Sequence, residues 1–376
     1  MRIKSVTLHI ISMPLKKPFV THLQKVEERE GIIIEVRDKE GVCGLGEGVA
    51  FSTPWYTEET VKTSHHMLKD VLIPLMNSKP FHHPEEIGKR FEAVRGNAMA
   101  KAALEMALWD LYARQKGVPL WNLIGGTREE VLAGAVVGAG SIPEMINQAE
   151  DLVKEGYQRI KLKISPGADV EIVKELRSHF PNLSLLADAN SAYSFEDVPR
   201  LQALDEFDLE MIEQPLGIDD LVEHSLLQKE ISTPICLDES IVTPHDMRSA
   251  IHLNSCGVVN IKLGRVGGYS SALEIYRLCR EHDIKVWCGG MIEFGVSRAH
   301  NLALSTLEGF RIPGDISSSS KYWEEDIITS PIVVRNGVVD RLEGPGIGVE
   351  LNRKRVSAVT QFKEAFTFDE TPSEFI

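Results

Sequence analysis

Five short runs decide the reading of this chain: QRIKLKI (158–164), LSLLADA (183–189), DLEMIEQ (208–214), PICLDES (234–240) and GVVNIKL (257–263). Each is largely apolar and carries an ionisable residue at its end. Those residues are Lys163, Asp188, Glu213, Asp238 and Lys262, spaced 25, 25, 25 and 24 positions apart. Stretches with helical periodicity fill the intervals, at 169–179, 196–204, 219–229 and 244–253. Apolar strands alternating with helices predict a parallel sheet covered on both faces. The period is then one strand–helix unit. It sets five charged groups at one height, on the C-terminal rim of successive strands. In a (β/α) barrel that rim carries the active site.

Working outward, AGAVVGA (133–139), KVWCGGM (285–291) and EGFRIPG (308–314) extend the pattern, with helical stretches at 143–155, 270–282 and 296–307. Eight strands predict an α/β fold, a TIM-like barrel whose eighth helix is missing. The N-terminal part reads differently. Ile3, Val6, Leu8 and Ile10 alternate as in a half-buried strand, and GIIIEVRD (31–38) and VCGLGEGV (42–49) flank a turn. Loops are expected at 18–30 and 49–57, and helices at 57–75, 84–92 and 97–116. The last helix stops at Gly117, and its Glu105 and Asp110 read as solvent or capping residues. The tail 332–350 reads as hairpin strands that pack back on the N-terminal meander. The expected division is a capping α+β unit over 1–127, a barrel over 128–325 and a returning segment over 326–376.

The chemistry follows from residue type. Side chains two apart on a strand share a face, so Lys161 points inward with Lys163, and Asn190 with Asp188. Three converging carboxylates repel one another and call for a cation, and hard oxygen donors select Mg²⁺ or Mn²⁺. A lysine acts as a base only when neutral, so its pKa must be depressed. Lys161 beside Lys163, Arg265 beside Lys262, and the cation itself are the expected sources of that field. The expected substrate is a small-molecule carboxylate with an acidic α-proton. A lone Asp at a strand end is ordinarily a helix cap, but five charged ends at one period exceed that explanation. By parity Glu239 faces away from the site.

Other signals are weaker. His22, His65, His66, His82, His83, His245, His252 and His300 share no spacing and read as surface or packing residues. GLGEG (44–48) and GRVGG (264–268) complete no phosphate-binding fingerprint. The net charge of −14 argues against nucleic acid as a partner. No apolar run reaches membrane-spanning length, and the first residues lack a signal-peptide pattern. Five cysteines without a C-x-x-C pair read as reduced thiols of a cytoplasmic protein. Cys43 and Cys288 read as buried apolar residues rather than nucleophiles.

The assembled motifs, KLK (161–163), DAN (188–190), EQP (213–215), DES (238–240) and KLGRVGG (262–268), resemble the enolase superfamily and its muconate-lactonizing-enzyme-like group. The resemblance implies a (β/α)7β barrel with an N-terminal α+β capping domain completed by the C-terminal segment. It implies Asp188, Glu213 and Asp238 as Mg²⁺ ligands, Lys163 and Lys262 as acid/base residues on opposite faces, and Lys161 and Asn190 as support. Gly289, Gly290, Met291 and Ile292 after the seventh strand, followed by Glu293, with Arg265, resemble the o-succinylbenzoate synthase / N-succinylamino acid racemase subfamily. Similar enzymes dehydrate a cyclohexadiene carboxylate in menaquinone synthesis, and many racemise N-succinylamino acids. A dedicated racemase and a muconate-type cycloisomerase are the alternatives. A homo-oligomer, dimer or octamer, is implied by resemblance. Phe19, Val20, Phe51, Trp55 and Tyr56, in the two capping loops, are expected to exclude water from the site.

Overall fold

A long meander opens the chain: β1 (Ile3–Val20), β2 (Lys25–Asp38) and β3 (Cys43–Gly48). The computed structural model describes residues 1–20, 23–138 and 140–368, so His22 and the end of the first barrel run lie outside the described residues. In β1 the buried set is Ile3, Val6, Leu8, Ile11, Met13 and Leu15. Register shifts at Ile3/Ser5 and Ile10/Ile11 break strict alternation, which is why Ile11 and not Ile10 faces the core. The segment expected as a loop at 18–30 is mostly strand, because β1 and β2 keep pairing out to Val20 and Lys25.

Helices α1 (Val61–Met67), α2 (Ile73–Asn77), α3 (Pro84–Phe91), α4 (Ala98–Lys116) and α5 (Leu120–Leu123) follow, with one π-helical turn at Leu68–Leu72. The backbone of α4 lies directly on β3. A Cβ at Gly44 or Gly46 would fall on the carbonyls of Ala107 and Ala103. Those glycines therefore serve close packing, not phosphate binding.

The second layer begins with β4 (Glu130–Leu132) and β5 (Ala135–Val137). Then α6 (Ile142–Lys154), β6 (Arg159–Lys163), α7 (Val170–His179), β7 (Ser184–Asp188), α8 (Val198–Gln202), β8 (Ile212–Glu213) and α9 (Val222–Glu230) alternate. The series continues with β9 (Ile235–Leu237), α10 (Pro244–Leu253), β10 (Val258–Ile261), α11 (Tyr269–Glu281), β11 (Lys285–Cys288) and α12 (Gly295–Ser305). Strands β5 to β11 form one parallel sheet in chain order.

The eighth strand expected at 308–314 is absent. Gly314 alone bridges Ala133, and Asp315 N–H donates to Cys288 O at 2.9 Å. Pro313 has no N–H for a ladder, and its carbonyl instead accepts from Arg159 Nε at 3.1 Å. This irregular segment closes the ring between β11 and β5.

The tail also differs from expectation. Within 332–350 only β12 (Val338–Asp340) is a strand, and it pairs with β4. After α13 (Arg353–Val359), it is β13 (Thr360–Thr367) that returns to the meander, antiparallel to β1.

Glu105 and Asp110 are buried, not solvated. Asp110 accepts from the backbone N–H of Leu45 and Ile347, both at 2.7 Å, and from Arg114. Glu105 reaches across the layer boundary to the first turn of α11, accepting from Ser270 N–H at 3.3 Å and from its hydroxyl. Glu47 of β3 does the same for α12, accepting from Phe294 N–H at 2.8 Å and Ser297 N–H at 2.7 Å. Two barrel helices thus take their N-terminal caps from acids of the capping layer.

Burial pushes Glu47 up to about 8 and Glu105 up to about 7. Each stays protonated in the fold at pH values where it ionises in the unfolded chain. Their contribution therefore falls as pH rises from about 4.5 through 7–8. Glu105→Gln keeps an acceptor for Ser270 and removes the charge. The melting temperature of this variant is expected to fall less steeply than the parent's between about pH 5 and pH 8. Parallel slopes would refute the assignment.

Candidate active site

The C-terminal rim of the sheet gathers the charged residues that the period singled out. Lys163 pairs in register with Asp188, and Asp188 with Glu213. Asp238 and Lys262 stand just past the ends of β9 and β10. Lys163 and Lys262 therefore flank the three acids, one on each side. All three carboxylates are essentially inaccessible.

Their partners are cationic. Lys163 Nζ donates to Asp188 Oδ2 and to Asn190 Oδ1, both at 2.6 Å. Lys161 Nζ lies 3.0 Å from Asp188, 2.7 Å from Glu213 and 2.9 Å from Asp315. Lys262 Nζ donates to Asp238 Oδ2 at 2.6 Å and to the Tyr56 hydroxyl at 2.9 Å. Arg265 donates to Asp238 Oδ1 and, at 3.0 Å, to Ile241 O. Among the described residues no three acidic, His or Cys groups are arranged around a common point as a ready metal cage, because the ammonium groups hold the carboxylate oxygens.

The electrostatics correct one expectation. Burial alone would push Lys262 down, but Asp238, Tyr56 and Glu239 outweigh it and hold Lys262 well above the ordinary lysine range. Arg265 pairs with Asp238, the same carboxylate that holds Lys262. Burial pushes Asp188 and Asp238 up, and the neighbouring cations together bring both below the usual carboxylate range. Glu213 is raised to about 7 by burial and by repulsion from Asp188.

Glu239 is a second correction. It turns toward the site, accepts from Asn190 Nδ2 at 3.3 Å and leaves Oε2 buried without a partner. Strand β9 ends at Leu237, so strand parity no longer governs position 239.

Above the rim lies a small cavity of about 70 Å³. Its floor carries Lys161, Lys163, Asp188, Asn190, Lys262 and Asp315. Its walls come from the capping layer (Phe19, Phe51, Trp55 and Tyr56) and from the segment after β11 (Gly290, Met291, Ile292 and Glu293). Val20 is not part of it and is largely exposed. Gly289 lies beneath, where a Cβ would meet the Lys262 Cε at 2.6 Å. Cys288 is buried and raised to about 12 by desolvation, a poor nucleophile.

Sequence reasoning missed Asp315, Asn260 and Gln214. Asp315 joins Lys161 to Arg159, whose Nη1 donates to it at 3.0 Å. Asn260 Nδ2 donates to Glu213 at 2.7 Å. Gln214 Oε1 accepts from Asp238 N–H at 3.0 Å and fixes that loop. A neutral residue inside a strand carries no comparable signal.

The comparisons with known proteins agree with this architecture. The chain is 52% identical over 365 residues to the o-succinylbenzoate synthase of Bacillus subtilis (strain 168), spanning 97% of this chain and 98% of that protein. It is 45% identical over 361 residues to the N-succinylamino acid racemase of Thermus thermophilus, spanning 96% and 98%. The solved structure of an enolase superfamily member from Listeria innocua superposes with a TM-score of 0.96 at 42% identity, covering 98% and 99%. Residues 4–125 match the family described as mandelate racemase / muconate lactonizing enzyme, N-terminal domain, and residues 144–355 match the family described as enolase C-terminal domain-like. The chain therefore belongs to the enolase superfamily, in its mandelate racemase / muconate lactonizing enzyme group.

Proposed function

We propose that the chain is an o-succinylbenzoate synthase that dehydrates 2-succinyl-6-hydroxy-2,4-cyclohexadiene-1-carboxylate in menaquinone biosynthesis, and that the same site racemises N-succinylamino acids. The observation that carries this reading is the pair Lys163 and Lys262 at the floor of one cavity, flanking three buried carboxylates of which Asp188 lines that floor. The synthase and racemase relatives, each aligned over nearly the whole chain, support it.

Enzymes of this superfamily generally use Mg²⁺. Asp188, Glu213 and Asp238 fit such an ion: all are hard oxygen donors, all are buried, and Glu213 is raised by its burial and by the charge of Asp188. Asp188, Glu213 and Asp238 would hold Mg²⁺ or Mn²⁺, which would supply positive charge to a substrate carboxylate as negative charge builds on it. Lys163, the more accessible lysine, removes the α-proton and delivers it to the departing hydroxyl, so water leaves from the same face. Lys262 holds a positive charge against the opposite face. In racemisation one lysine takes the proton and the other returns one from its own side. Lys161 and Asn190 hold the carboxylate end in place. The aromatic wall from the capping layer keeps water from the reactive anion. Five free thiols support a reducing, cytoplasmic setting.

The test is a pair of assays on purified protein with Mg²⁺. Formation of o-succinylbenzoate from the cyclohexadiene acid is expected, together with α-deuterium uptake by N-succinylamino acids in D₂O. Racemisation without dehydration would make the chain a dedicated racemase. Turnover of neither substrate would overturn the reading.

A further inference from the structure

Two walls of the cavity come from distant parts of the chain, and one buried guanidinium ties them together. The first wall is the loop after β3, with Val49, Ala50 and Phe51. The second is the strap after β11 that carries Ile292. Arg29 of β2 reaches both. Its Nη2 donates to Val49 O at 2.5 Å, its Nη1 to Ala50 O at 2.8 Å, and its Nε to Ile292 O at 3.3 Å. Nη1 also donates to Glu30 O. The guanidinium lies 4.4 Å from the centroid of the Phe51 ring.

Arg29 is 1% exposed, and these hydrogen bonds all end on backbone carbonyls. Glu47 and Glu293 bear on its charge electrostatically, but the bonds above reach only carbonyls, and a buried charge held in that way is costly where packing alone is needed. A packing role alone would be served by Met or Leu. What the guanidinium adds is a rigid planar fork whose donors reach carbonyls set apart from one another, where a lysine ammonium donates from a single point.

Ile292 supplies a second, independent observation. Its φ is +58°, in the left-handed region, where a β-branched residue is strained. Such a conformation persists only when its surroundings hold it. The carbonyl of this residue is the one that Arg29 grips. Ile292 and Phe51 both line the cavity, while Arg29 itself does not.

We propose that Arg29 is a positioning residue that sets the apolar wall of the cavity, and through it the choice among substrates that differ away from the reacting carbon. It holds the Phe51 ring by stacking and the Ile292 side chain by its strained backbone. The chemistry at Lys163 and Lys262 is left to other residues. The claim about substrate choice rests on the synthase and racemase reading above.

Arg29→Lys keeps the charge and removes the fork. KM for N-succinylamino acids is expected to rise about tenfold, with kcat for α-proton exchange within about threefold of the parent. The ratio of kcat/KM between substrates with large and small apolar side chains is expected to change by a further factor of about ten. A merely structural role would lower the folded fraction, and with it kcat, at unchanged KM and unchanged ratio; that result would overturn the proposal.

One further measurement does not depend on the reaction. Chymotryptic cleavage in the aromatic loop Phe51–Tyr56 of the full-length protein is expected to be faster in Arg29→Lys than in the parent. Equal rates would overturn the tie, even if the parent turned over neither substrate and the functional reading had failed. Should Arg29→Lys not fold, Arg29→Gln, which keeps two donors, carries the same measurements.

Discussion

Lys163→Ala is expected to lower both dehydration and racemisation by about 10³-fold or more, the range lost when a positioned acid/base group is removed. The lysine forms its short contacts with Asp188 and Asn190 at the cavity floor, so its loss removes the proton carrier from one face only. Lys262 stays on the other face, held by Asp238 and Tyr56. The two variants are therefore expected to differ by stereochemistry. In D₂O, Lys163→Ala should still exchange the α-proton of the N-succinylamino acid enantiomer that presents it to Lys262, and Lys262→Ala the other enantiomer. Proton NMR of each pure enantiomer reads this directly. Loss of exchange for both enantiomers in one variant, with the fold intact, would mean that the two lysines do not act on separate faces.

The second large effect is a contrast between two proposed metal ligands. Glu213 is raised to about 7 by burial and by Asp188. Its charged form is thus disfavoured in the fold, and its contribution to stability falls as pH rises from about 4.5 through 7. At pH 8 without metal, Glu213→Gln is expected to melt at the parent's temperature or above. Mg²⁺ is expected to stabilise the parent, by about 2.7 kcal/mol at 100 times its Kd, and to leave this variant unmoved.

Asp238→Ala should behave in the opposite way before any metal is added. Asp238 is brought below the usual range because Lys262 and Arg265 outweigh the cost of its burial. Removing it strands both cations inside the protein, a loss of about 3–5 kcal/mol. Thermal melts with and without Mg²⁺ measure all three proteins. A parent that does not respond to Mg²⁺ would remove the metal from the proposed mechanism.

The period of charged strand ends made the barrel and the rim legible, because each unit of the fold repeats the same height. It failed where regular structure stops. The eighth position holds Gly314 through one isolated bridge and Asp315 through one backbone hydrogen bond, so the 308–314 run pointed to a strand that does not form. Glu239 lies past the last residue of β9, where alternation no longer sets direction. Glu105 and Asp110 read as solvent or capping residues; Glu105 does cap a helix, but burial was not legible because helix periodicity reports only which residues are apolar. It cannot report that another layer offers them backbone donors. Arg29 left no trace in the pattern, since its partners are carbonyls whose positions depend on two segments far apart in the chain.

Glu47 and Glu105 carry one more consequence, this time for inheritance. A barrel helix ordinarily finds its cap in its own sequence, and a domain that caps itself can be exchanged freely between genes. Here the first turns of α11 and α12 end on acids encoded some 165 and 250 positions earlier. A capping layer exchanged for one without those two acids would leave the first turns of both helices short of acceptors for their N–H groups.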